Sequence, residues 1–282
     1  MFFSGCRKEP KDLGGCDSPQ TPANAFQFEV YLYRQLAMEY IKLLAKKVII
    51  WYNNRMLYYL YRSNLPTNVL LVIFAAYLIA VCFALSAHEF SHALAAHISG
   101  DRTAKAEGRL SLNPLKHLDP LGTICLLVAG FGWAKPVHVN PLKFRNFRRD
   151  MALVSLAGIF ANLILSFVFY PLLIFVTNYW GATTLGADFV RYLVLFTVLI
   201  NISLAVFNIL PIYPLDGFNF VNTFLPYNNK FSNFMFKYGN LILIVLILTG
   251  GFSYLFDWAT TGVSFVFAKF WGLFLWLKKA FN

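Results

Sequence analysis

Charge is scarce in this sequence. Asp, Glu, Lys and Arg make up 13% of its 282 residues, about half the roughly 25% of an ordinary soluble domain. A water-soluble globule is therefore a poor first reading, and the 58% share of apolar residues points to membrane instead. Cysteine is also scarce. Cys6, Cys16, Cys82 and Cys125 stand in no paired metal-ligand spacing, which argues against a disulfide framework and a cysteine zinc site. Acidic residues number 13 against 24 Lys and Arg, for a formal charge of +11. The basic residues flank the apolar runs instead of forming one soluble basic domain, and no recognition module accompanies them. Nucleic acid is thus not expected as a partner, and the positive charge is read as facing anionic lipid headgroups. The opening MFFSGC has too short an apolar run for a signal-peptide core, which takes about 7 to 15 residues.

Long uncharged stretches are what the sequence has in abundance. Residues 63–87 carry no charge, nor do 151–190 apart from Asp188, nor 192–215. Each exceeds the roughly 20 residues that span a hydrocarbon core. Two weaker runs follow, 238–256 with Gly250 and Gly251 inside it and 263–277 with Lys269, and they read as two spans or one hairpin. The expected fold class is an all-α polytopic membrane protein, a bundle of about 4 to 6 transmembrane helices.

Four regions are expected along the chain. Residues 1–25, rich in Pro, Gly, Lys and Asp, read as a disordered tail. Residues 26–66 mix Tyr and Leu with Lys and Arg and suit a helical region lying in the membrane interface. Residues 67–220 form the core, and residues 221–282 supply C-terminal membrane helices. Between the first two core spans, four X-Pro pairs (113–114, 119–120, 135–136 and 140–141) disfavour continuous helix. The apolar run 121–131 there is too short to cross and reads as re-entrant. No soluble domain is expected between the later spans or after the last one. Orientation stays open, because residues 100–150 hold nine basic and four acidic residues while 1–66 hold nine and five.

The chemistry concentrates at the end of the first apolar run, in S-A-H-E-F-S-H-A-L. His88, Glu89 and His92 form HExxH. His88 and His92 differ by about 40° around a helix, so one face presents two imidazoles with a carboxylate close by. A lone Glu89 in an uncharged span costs about 2.5 kcal/mol or more, which a bound dication relieves. A catalytic zinc site needs a third protein ligand and a free position for water. Asp216 is the candidate, in N-I-L-P-I-Y-P-L-D-G, where Pro211 and Pro214 break regular helix and Gly217 permits a turn. Glu89 is then the expected general base, and Asn208 the expected donor to the scissile carbonyl. His97 is expected to face elsewhere, and His117 and His138 read as interface histidines.

These residues sit within a set of motifs that resembles the site-2 protease family of intramembrane zinc metalloproteases, in its minimal form. The motifs are H-E-F-S-H, G-R-L-S-L-N-P-L-K-H-L-D-P-L-G, G-W-A-K-P-V-H-V-N-P, S-L-A-G-I-F-A-N and F-N-I-L-P-I-Y-P-L-D-G, in order across roughly residues 67–220. The resemblance implies one Zn2+ per chain on His88, His92 and Asp216, with Glu89 as acid-base and Asn208 in substrate positioning. It further implies membrane-anchored protein substrates and, for this chain, a bacterial cytoplasmic membrane. Two departures, Ile159 and His138 where the family commonly has proline, leave the metal set untouched. The extended stretch 135–141, through Val137 and Val139, is expected to hold an opened substrate strand by backbone pairing. The rival readings are a metal or proton transporter, built on the same intramembrane His, Glu and Asp, and an inactive scaffold of the same fold.

Overall fold

Pro66 precedes the first long helix and removes a backbone donor where none is needed. Helix α1 then runs Thr67–Ile98 without a break and carries HExxH in its last third. The computed structural model describes residues 66–122, 134–181, 184–226 and 229–280, and among these no strand occurs beyond an isolated bridge from Leu118 to Ala134. The expected tail, interfacial region and re-entrant run 121–131 lie wholly or mostly outside the described residues.

After α1 comes the short helix α2, Thr103–Ala106, and two 3-10 turns, Pro114–Lys116 and Pro141–Lys143. Each turn starts on an Asn-Pro pair whose Asn side chain accepts the N–H two residues on. Asp101 anchors this segment. It is fully buried and accepts from Thr103 N at 2.9 Å, Thr103 Oγ1 at 2.5 Å and Asn140 N at 2.6 Å. Burial alone would raise its carboxyl pKa, but these hydrogen bonds, with Lys143 at 3.9 Å, outweigh it and hold the group below its ordinary value.

Helix α3, Phe147–Asn178, is capped by Asn146 and passes through Pro171; α4, Leu185–Asn208, is capped by Thr184. Arg191 ties the two together. Its Nε donates to Val176 O at 3.2 Å and its Nη2 to Trp180 O at 2.6 Å, while Nη1 pairs with Asp188 at 3.0 Å. The orphan carbonyls ending α3 thus find their donors in α4. Helices α1, α3 and α4 pack against one another. Ala76, Ala80, Ala84, Ala93 and Ala96 are buried on α1, and such small side chains let helix backbones approach closely.

Helix α5, Asp216–Phe224, packs on α3. Helix α6, Lys230–Leu248, and α7, Gly251–Ala280, meet at Gly250, whose φ of 70° suits glycine. The run 238–277 therefore forms two helices. Among the described residues four helices, α1, α3, α4 and α6, are long and apolar enough to cross a membrane. Their outer faces leave large apolar side chains such as Phe160, Ile164 and Val168 uncovered, as a lipid-facing surface does.

Candidate metal and catalytic site

Three elements meet at the end of α1. His88 and His92, one turn apart and both buried, turn their Nε2 atoms to within 3.1 Å of each other. Asp216 enters from the first turn of α5 and brings Oδ2 to 3.1 Å from each of them. Its side chain caps no helix: the N-cap residue is Leu215, without a side-chain cap. The expected trio is therefore together in space, although 124 residues separate His92 from Asp216.

The ring nitrogens that face away from this point decide what the trio can hold. His92 Nδ1 lies 2.7 Å from Val154 O, an atom that only accepts, so Nδ1 carries the proton. His88 Nδ1 lies 3.0 Å from Asn162 Oδ1, which assigns it the same tautomer. In the neutral ring this leaves each Nε2 with its lone pair directed toward the other Nε2 and toward a carboxylate oxygen. With both rings neutral, these three atoms at 3.1 Å form an all-acceptor set that a cation can draw together. Ligand atoms around a tetrahedral zinc at ~2.0–2.1 Å lie about 3.3 Å apart, close to the spacing seen. The donor set thus fits zinc. Among the described residues this is the group of His, Cys, Asp or Glu assembled to hold a metal.

Two glycines make the meeting sterically feasible. A Cβ on Gly158 of α3 would stand 2.5 Å from His88 Cε1 and His92 Nε2. A Cβ on Gly217 would overlap the carbonyls of Ile209 and Leu210. Gly217 was expected to serve a turn by its conformational freedom, but its requirement is space: α5 starts hard against the chain leaving α4. Between them the chain passes a cis Tyr213–Pro214 bond.

Glu89, also buried, does not join the trio. Its Oε2 accepts from Val137 N at 3.0 Å. This changes the expectation for the 135–141 stretch, because the Val137 N–H offered to a substrate strand is already used by Glu89. Asn208 ends α4, and its Nδ2 donates to Leu204 O at 3.0 Å, leaving one amide hydrogen. The other histidines stand apart from the trio. His117 is buried with Nε2 at 2.7 Å from Ser111 O, and exposed His138 pairs with Glu107 at 3.1 Å. His97 keeps a buried Nδ1 without a hydrogen bond. Sequence reasoning missed Asn162, Val154 O and Gly158 as the support of the two imidazoles. The signal was present in S-L-A-G-I-F-A-N, since Gly158 and Asn162 are one turn apart and share a helix face.

Several known proteins are similar to this chain. A model of peptidase family M50 matches residues 176–249. YwhC of Bacillus subtilis, named as a zinc metalloprotease, is 41% identical over 179 residues, covering 62% of this chain and 81% of that protein. Rip2 of Mycolicibacterium smegmatis, named likewise, is 31% identical over 191 residues, 64% of this chain and 68% of its own. Rip2 of Mycobacterium tuberculosis H37Rv is 29% identical over 232 residues, 73% of this chain and 83% of its own. No solved structure matches significantly.

Proposed function

The chain belongs to peptidase family M50 and is a zinc metalloprotease built on membrane helices, and from that premise we propose that it hydrolyses peptide bonds of membrane-anchored proteins at or within the bilayer. His88, His92 and Asp216 hold the zinc, Glu89 is the general base, and Asn208 orients the scissile carbonyl. One observation carries the reading: two imidazole Nε2 atoms and a carboxylate oxygen converge at 3.1 Å beside a buried glutamate, on helices that suit a bilayer. The core comprises residues 67–220, and the C-terminal helices pack beside it. A bacterial cytoplasmic membrane is the proposed location, supported by the bacterial source of the relatives.

Zinc bound at this site supplies Lewis-acid chemistry, acidifying water and polarising a carbonyl. Glu89 takes the proton of the attacking water and returns it to the leaving amine. Asn208 uses its remaining amide hydrogen on the carbonyl oxygen as charge develops there. Asn162 and Val154 O keep both rings in the tautomer that leaves Nε2 free. A substrate helix hides its carbonyls in internal hydrogen bonds, so cleavage requires that it unwind locally beside Glu89.

The test is co-expression with single-span reporter proteins, scored for loss of their membrane anchor, followed by the same assay on purified protein. Release is expected to stop on zinc removal by a chelator and to return with added zinc. Release that persists in fully metal-free protein would refute the metalloprotease mechanism. The imidazole support gives a second prediction. Asn162→Leu is expected to weaken zinc binding by about 10- to 100-fold, read by competition with a chromophoric chelator. An unchanged affinity would remove Asn162 from the site.

A further inference from the structure

The residue that fixes Glu89 is itself held by a buried arginine outside the trio. Val137 donates its N–H to Glu89 Oε2 at 3.0 Å. The carbonyl of the same peptide group is that of Pro136, and it accepts from Arg109 Nη1 at 3.3 Å. The same nitrogen donates to Lys135 O at 3.1 Å. In a trans peptide the C=O and N–H point in opposite directions, so Arg109 and Glu89 grip the two ends of one planar unit. Rotating that unit would break both contacts at once.

The surroundings of Arg109 match this role. It is 7% exposed, and a buried guanidinium with carbonyl partners costs desolvation that a purely surface loop would not require. Its Nε lies 3.6 Å from Glu107, which also takes His138 Nδ1 at 3.1 Å, so residues on both sides of Val137 are tied to one patch. On the far side of the segment, Lys135 N donates to His117 O at 2.8 Å. Among the described residues, that bond and the Leu118–Ala134 bridge beside it are the backbone pairing that sets the register of the 134–138 stretch. A cation on the Pro136 carbonyl also polarises the peptide and strengthens its N–H as a donor.

We propose that Arg109 is a positioning residue for Glu89, acting through the single peptide group between Pro136 and Val137. The inference rests on the peptidase reading for the role of Glu89, but its first measurement does not need cleavage. Hydrogen exchange at the Val137 amide is followed in the full-length zinc-loaded protein in nanodiscs. Glu89→Ala is expected to speed exchange by removing the acceptor, and Arg109→Gln to speed it comparably, with zinc content unchanged. Turnover of a fluorogenic single-span peptide in the same nanodiscs gives the second reading. Arg109→Gln is expected to lower kcat by about 10- to 100-fold with KM within about twofold, and Arg109→Lys, which keeps a cationic donor on a shorter stem, to fall between.

Wild-type exchange at Val137 in Arg109→Gln would overturn the proposal. So would a raised KM with kcat unchanged, which would assign the residue to substrate binding. If Arg109→Gln does not fold, the reading passes to Arg109→Lys, where wild-type kcat and exchange, in place of the intermediate values expected, would overturn the proposal. Failure of the zinc-loaded wild type to cleave, with the exchange pattern as expected, strikes the peptidase reading and leaves the hold on the peptide group standing.

Discussion

Glu89→Gln is expected to leave zinc bound and to lower cleavage by about a thousandfold. Glutamine has the shape of glutamate, and its side-chain oxygen can still accept the Val137 N–H that Glu89 receives at 3.0 Å. What it loses is the capacity to take a proton. The loss corresponds to about 4 kcal/mol of barrier, within what a positioned general base supplies. Zinc should stay because the proposed ligands are the Nε2 atoms and Asp216 Oδ2, and Glu89 is not among them. The measurement is metal content by mass spectrometry alongside single-turnover cleavage of a membrane-anchored reporter. Undiminished cleavage would assign the base elsewhere. Zinc flux into vesicles that survives the substitution, with no cleavage in the wild type, would favour the transporter reading.

Gly158→Ala is expected to cost zinc affinity through sterics. Its methyl group would stand 2.5 Å from atoms of both His88 and His92, below any real carbon contact. Two effects oppose each other. Alanine in a helix interior is favoured over glycine by about 1 kcal/mol, whereas overpacking a fitted site costs about 1–3 kcal/mol or more. The propensity gain is spread along α3 and stabilises the fold; the clash is focused on the two imidazoles. The variant should therefore fold and melt near the wild type while binding zinc about 10- to 100-fold more weakly, with valine at 158 weaker still. Zinc titration and thermal melting separate the two. Full affinity in Gly158→Ala would show that α3 can withdraw from α1 without disturbing the site.

Much of the molecule was legible in the chain because membrane physics leaves few choices. Uncharged runs longer than a bilayer must become helices, since lipid offers backbone groups no partner. The helices formed where those runs lie, and HExxH fell on one face because helical geometry alone puts residues four apart side by side. Boundaries were less legible. What stabilises the break between α3 and α4, Arg191 reaching the Val176 and Trp180 carbonyls, is a contact across the turn.

Residue types and local spacing thus determined the class of protein, the helix that bears the imidazoles and the candidate for a third ligand. Tertiary structure alone decided that Asp216 Oδ2 reaches both imidazoles, that Asn162 and Val154 O orient the rings, and that Gly158 makes room for them. It alone placed the Val137 peptide between Glu89 and Arg109. The physical reason is that each of these contacts joins segments separated by tens of residues, and only the packing of α1, α3, α5 and the 134–138 stretch brings them within the ~3 Å at which hydrogen bonds and coordination act.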